Sequence, residues 1–260
     1  MDKLLGACEL PLFAKEAELI QSWTHLSLPS DLCVSIDLET PNRRGPGIFT
    51  IGAVPFNQLT GELYHNLAFY IRIDPMEVFA HPSTKMDPAT LRWWMLQTPQ
   101  AAREELFGVT PTGQKYPAYV QDKKLHGYRE AMGAFFYYLE ALVKAGATKL
   151  EVLGNGDIFD IGKTELTWDA LGIDNGDKEN PFPYQYWNIR DLREQIRFTK
   201  IATGLDPKQF VKREGVHHNA LDDAIFQAKL SVQCTKIAMD VRDLMEQVKN
   251  GEIGHASDNS

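Results

Sequence analysis

Cysteine is scarce: Cys8, Cys33 and Cys234 are the only three in 260 residues, and they lie far apart. An odd, scattered set builds no disulfide framework, and without CxxC or Cys/His spacing there is no zinc site. Reduced structural thiols in a cytoplasmic protein are the expectation. No run of about 18 apolar residues occurs, so no helix should cross a membrane. Leu5-Gly6-Ala7-Cys8 imitates a lipoprotein cleavage site. An export signal, however, needs a basic start and roughly 7–15 apolar residues before the cut. Only seven residues precede Cys8 and Asp2 is among them, so an ordinary N-terminal segment is expected. Positive charge is also short: 27 Lys and Arg against 35 Asp and Glu leave a net charge of −8. Proteins that grip duplex DNA along a groove usually show a basic surface. This chain should therefore engage few phosphates at once. No internal repeat or low-complexity tract is present.

What is there is the material for one substantial core, with 43% hydrophobic residues. Residues 12–26 read as a helix, closed by the Leu28-Pro29-Ser30 turn. In 31–39, Leu32, Val34, Ile36 and Leu38 alternate with polar or small residues, the period of a strand. Two more strands follow at 48–56 and 64–73 with short links, an antiparallel meander. Helices are expected over 89–97, 99–107, 127–145, 159–171, 191–199 and 219–249. Further strands are expected at 149–153 and 186–189, and loops at 108–124 and 174–183. This order predicts an α/β fold with a mixed sheet flanked by helices. Residues 1–30 form a helical extension, 31–250 one domain and 251–260 a flexible tail.

Three separated segments carry the chemistry. Asp37 and Glu39 stand two apart at a strand end, so both side chains share a face, about 7 Å apart. Bare carboxylates there would repel, and a divalent cation removes that cost. Oxygen ligands favour magnesium or manganese over zinc. Taken alone, the pair could equally be a solvated strand end. Asp160, in Asn155-Gly156-Asp157-Ile158-Phe159-Asp160, sits at a strand-to-helix junction, a usual place for a ligand. Alone, that segment could be a turn with Asp157 as helix cap. In HHNALDDA, Asn219 can cap the last helix, with His218 just before it and Asp223 in its first turns. A histidine beside a carboxylate ligand can act as a base near neutral pH. His217 with Asp222 has the same separation, but only His218 with Asp223 gives H-x-A-x-x-D-A. The alternative is a solvated His pair with helix-start aspartates favoured by the dipole.

Taken together, Asp37-Leu38-Glu39-Thr40, Asn155 to Asp160, and His218 with Asp223 resemble the three motifs of the DEDDh subclass of DnaQ-like 3′→5′ exonucleases. The resemblance covers about residues 31–240. It is nearest to exodeoxyribonuclease VIII-like (RecE-type) proteins of phage and bacteria and to a mycobacterial-type exoribonuclease domain. IFTIGAVPFN and TLRWWMLQTPQAAREEL are further points of likeness. The resemblance also implies Asn155 as a substrate-binding residue; one departure, the three residues between Asn155 and Phe159-Asp160, bears on that role and not on Asp160. The resemblance implies a ribonuclease H-like fold and two Mg²⁺ or Mn²⁺ ions held by Asp37, Glu39, Asp160 and Asp223. It also implies His218 as general base and nucleoside 5′-monophosphates as product. Leu38 and Thr40 would contact the terminal nucleotide, Thr40 through its backbone or hydroxyl. Phe159 either packs against the base or belongs to the core. Trp93 and Trp94 are adjacent on a helix and point about 100° apart; one should be core, and the other could stack a base.

The expected substrates are 3′ ends of single-stranded DNA or RNA, DNA slightly ahead, in a bacterial or phage-infected cell. Some relatives pair so that each completes the other's substrate surface, which allows a homodimer. Two rival readings are a non-catalytic binding module on the same fold and a small-nucleotide phosphohydrolase.

Overall fold

A computed structural model describes residues 23, 25–107, 125–176 and 181–251. Its five-stranded sheet runs β3-β2-β1-β4-β5. The strands are β1 Cys33–Glu39, β2 Thr50–Phe56, β3 Phe69–Arg72, β4 Glu151–Gly154 and β5 Ile189–Asp191. β1 to β3 form the predicted antiparallel meander, while β4 and β5 add parallel to it. The helices are α1 Pro75–Ala80, α2 Pro88–Gln97, α3 Gln100–Phe107, α4 Tyr128–Lys144, α5 Asp157–Ala170, α6 Leu192–Thr203 and α7 Ala220–Lys249.

β1 is central because its alternation serves two cores. Leu32, Val34, Ile36 and Leu38 pack on one face with Phe135 and Leu139 of α4 and Ile161 of α5. Cys33 faces the other side, with Ala220, Leu221 and Ala224 of α7. Period two therefore puts Asp37 on the α7 face. Cys33 and Cys234 are free and buried. No helix among the described residues is long and apolar enough to cross a membrane.

α7 can lie that close because Gly52, paired with Asp37 across β1 and β2, has no side chain. A Cβ there would stand 2.2 Å from the Ala220 carbonyl carbon and 2.4 Å from its oxygen. Gly52→Ala should push the start of α7 off the sheet and cost about 1–3 kcal/mol, the range for overpacking. Urea unfolding measures this, and an unchanged midpoint would refute the close packing.

Several elements differ from the sequence reading, among them a helix expected to end at 199 that runs on to Thr203. The strand expected over 64–73 starts only at Phe69, after a 3₁₀ turn at His65–Leu67. Pro55 is the cause: its carbonyl accepts from the Tyr64 amide at 2.9 Å, but it has no N–H to continue the ladder on that side. The strand expected over 186–189 is a 3₁₀ turn at Tyr186–Asn188 followed by β5. Tyr186 and Trp187 carry strand propensity yet stand in solvent, 79% and 60% exposed. α1 was not anticipated, although Asp74 caps it and Pro75 opens it. Apart from Trp23 and its neighbours from residue 25 on, the N-terminal extension lies outside the described residues, as do 108–124, 177–180 and 252–260.

Candidate active site

The three segments meet in one pocket of about 410 Å³ at the carboxyl end of β1. Asp37, Leu38, Glu39, Thr40, Asn155, Phe159, Asp160, His218 and Asp223 all line it. Carboxylate oxygens of Asp37, Glu39 and Asp223 lie within 4.8 Å of one another. The acids come from one strand and two helix starts. β1 delivers Asp37 and Glu39. Asp160 stands in the first turn of α5, where its Oδ2 accepts from the Asn155 amide at 2.8 Å. Asp223 is in the first turn of α7, whose cap Asn219 accepts from the amides of Leu221 and Asp222, both at 3.1 Å.

The His–Asp doublets separate in space. Asp222 turns away and accepts from the Val216 amide at 2.7 Å, so it secures the loop that presents the histidines. Asp223 enters the pocket, paired with Arg213 and accepting from the His218 amide at 3.1 Å. His218 is the one non-glycine residue among those described with positive φ, 66°. Such a backbone costs of order 1–3 kcal/mol and clusters at functional sites. It brings Nδ1 to 3.9 Å from Glu39 Oε1. The ring stacks on His217 at 3.9 Å and meets the edge of Trp93 at 4.7 Å. Trp94 is the core member of its pair, 2% exposed, while Trp93 is half-buried at the pocket wall.

Two expectations change in detail. The Thr40 hydroxyl is already committed, donating to the Asn42 carbonyl at 2.9 Å. Its carbonyl accepts from Trp94 Nε1 at 3.2 Å. Thr40 therefore shapes the loop first. Phe159 sits beneath Lys163, whose Nζ is 5.1 Å from the ring centre, and is half-buried at the pocket. Lys163 is 2% exposed and donates to both oxygens of Asn42 and to the Gly45 carbonyl, pinning the 41–47 loop to α5.

Sequence reasoning missed several residues here. Gln227, one turn beyond Asp223 on α7, donates from Nε2 to Asp37 Oδ1 at 2.6 Å. The i, i+4 relation to Asp223 was the available signal. Arg43, Arg193, Lys208 and Arg213 also line the pocket. They come from three parts of the chain, Lys208 and Arg213 being near neighbours in sequence. An acidic chain thus carries local positive charge at this pocket.

The electrostatics favour a cation. Burial, then repulsion from Asp160 and Asp223, holds the Asp37 carboxyl well above the ordinary range. Burial, then Asp37, Asp223 and Asp160, does the same to Glu39. Burial pushes Asp160 up to about 7 against the pull of the Asn155 amide and Arg193. Gln227 Oε1 is buried with no partner among the described residues, leaving an acceptor free for water on a bound ion. Oxygen donors of this kind suit a hard divalent cation, and the residues present fit one.

A pH prediction follows. Folded, Asp160 keeps its proton to about pH 7; unfolded, only to about pH 4. Between those values the folded state binds more protons, so metal-free stability falls as pH rises through this window. Bound cations reverse this by favouring the ionised carboxylates. The gap in melting temperature between magnesium and EDTA samples should widen from pH 4.5 to pH 7.5. A constant gap would refute the carboxylate cluster as the metal site.

A family model described as the 3′-5′ exoribonuclease Rv2179c-like domain matches residues 33–235. No protein of curated description matches. Among solved structures, the nuclease domain of 3′hExo, described as a DEDDh family member bound to rAMP, is 13% identical; the match covers 80% of this chain and 92% of that one at a TM-score of 0.49. Cell-death related nuclease 4 (CRN-4) is 10% identical, with 80% and 65% covered and a TM-score of 0.50. A full-length 3′-exonuclease is 13% identical, with 80% and 83% covered and a TM-score of 0.45. At 10% identity the likeness to CRN-4 speaks to fold alone, here the ribonuclease H-like sheet with its antiparallel meander. The family match starts at the first residue of β1, ends within α7 and spans the whole carboxylate pocket: the chain belongs to the Rv2179c-like 3′→5′ exoribonuclease domain family and is a 3′→5′ exonuclease.

Proposed function

We propose that the protein shortens single-stranded nucleic acid from its 3′ end, releasing nucleoside 5′-monophosphates, with RNA as the preferred polymer. The observation that carries this reading is the convergence of the Asp37, Glu39 and Asp223 oxygens within 4.8 Å, beside His218. The family's description favours RNA over the slight lean to DNA drawn from the RecE-type likeness.

Asp37, Glu39, Asp160 and Asp223 would hold two divalent cations, magnesium or manganese. Such ions lower the pKa of water and stabilise both the attacking and the leaving oxygen. Asp37 is grouped with Glu39 and Asp223 and is fixed by Gln227, so it would be a central ligand of such ions. His218 takes the proton of the attacking water; its neutral form suits that task. Burial and the neighbouring His217 lower its pKa to about 4. Leu38 and Thr40 bound the space for the terminal nucleotide, in the pocket that Trp93 also lines. Trp93 already makes a ring contact with His218 and supplies the flat wall against which a base can stack.

The test is an incubation of 5′-labelled single-stranded RNA and DNA of matched sequence with magnesium, manganese or EDTA. A metal-dependent ladder shortening from the 3′ end is expected, faster on RNA. Equal or faster DNA cleavage overturns the polymer assignment. Cleavage of mononucleotides alone overturns the exonuclease.

A further inference from the structure

α2 contributes Trp93 and Trp94 to the pocket lining and α6 contributes Arg193 and Ile196, alongside the carboxylates. A terminal nucleotide held at α2 leaves the rest of the strand to exit along α6. Arg193 is built into that exit. Its Nε donates to Asn155 Oδ1 at 3.4 Å. Its guanidinium lies against Gly156, where a Cβ would stand 3.3 Å from both Cζ and Nη1. Gly156 has φ of 103°, a conformation side chains rarely adopt. It also begins the three residues by which this chain departs from its motif, so the departure makes room for the arginine. Arg193 forms no ion pair among the described residues, whereas Arg213 is already paired with Asp223. Further along the same pocket stands Lys208, with the apolar Ile196, Phe226 and Leu230 lining it as well. Cations beside an apolar floor suit a single strand, phosphates on the first and bases on the second.

We propose that Arg193, held flat by Asn155 and Gly156, binds the backbone phosphate one nucleotide 5′ to the scissile one, with Lys208 placed for the next. Arginine's planar fork matches two phosphate oxygens at once. Asn155 then acts as a positioning residue, not as a direct substrate contact. This inference rests on the exonuclease reading.

Binding is measured by fluorescence anisotropy on a labelled single-stranded RNA decamer over a range of salt, in an Asp37→Asn background that blocks cleavage. Arg193→Gln should weaken binding ~10–100-fold, the range for a hydrogen bond to a charged group. The log–log salt slope should shrink by about 0.7, the value for one phosphate on a single strand. Competition by a 5′-phosphorylated dinucleotide should suffer more than competition by a nucleoside 5′-monophosphate, which lacks the second phosphate. Asn155→Ala, which keeps the charge, should lower affinity with little change in slope. An unchanged slope in Arg193→Gln, or equal losses for mono- and dinucleotide, overturns the inference. The parent reading is checked separately: if the unmodified protein gives no 3′ ladder, the exonuclease reading falls and takes this inference with it. A normal ladder with an unchanged slope removes the inference alone.

Discussion

Asp37→Asn should lower turnover by at least about 10³-fold and leave the metal-free protein no less stable than before. The loss of rate follows from position. Asp37 shares with Glu39 and Asp223 a group of ligand oxygens within 4.8 Å of one another. A single fixed electrostatic contact to a transition state is worth about 10²–10³-fold, and Asp37 would orient more than one. The retained stability follows from the same crowding. Burial and two like charges hold its carboxyl above its ordinary range, so the ionised form is unfavourable in the empty site. Asparagine removes the charge but keeps Oδ1 as acceptor for Gln227 Nε2. The melting temperature in EDTA at pH 7.5 should therefore hold or rise, by roughly 2–4 °C for each kcal/mol recovered. Stabilisation by added magnesium should shrink sharply in the variant. A variant that turns over normally, or one that melts far below the wild type in EDTA, contradicts this account. The first result would remove Asp37 from the metal site. The second would make it a structural residue.

The parts of the fold and site that a sequence reader can find are those written in local periodicity. Period two assigns Ile36 and Leu38 to one face and Asp37 to the other without knowledge of the partner strands. Asn219 with Ala220, Leu221 and Ala224 announces a capped helix with one apolar face, and Asp223 falls on the turn nearest the cap. Asp74-Pro75 carried the same kind of signal, yet a helix of six residues is too short for periodicity to show. What stayed hidden depends on pairing. Pro55 truncates β3 only because its missing N–H points toward that neighbour. Arg43 and Arg193 join Lys208 and Arg213 from distant parts of the chain, so sequence order does not reveal that these cations share one pocket. Gly156 reads as a mere turn glycine until the guanidinium lying across it is seen. The doublet HHNALDDA was the intermediate case: the motif chose Asp223 over Asp222, and the opposite orientations of the two carboxylates supply the physical reason.

His218→Ala should cost ~10²–10⁴-fold in rate, the range for a positioned general base, and His217→Ala far less. His217 is exposed and lines the pocket stacked on His218 at 3.9 Å, but His218 is the ring that approaches Glu39. The pH profile separates this role from a structural one. A base must be neutral to accept a proton, and His218, lowered to about 4, is neutral throughout the working range. Its protonation can cut the rate only at markedly acidic pH. The carboxylates behave otherwise: Asp160, raised to about 7 when empty, must lose its proton before a cation binds, so metal and proton compete. In the unmodified enzyme the acid limb should therefore lie near neutrality at scarce magnesium and move to lower pH as magnesium is raised. His218→Ala should keep that metal-dependent limb while running far slower at every pH, and added imidazole should restore part of the rate. An acid limb that ignores metal concentration would place its origin outside the carboxylate cluster. Full activity in His218→Ala together with loss in His217→Ala would transfer the base to the neighbouring ring.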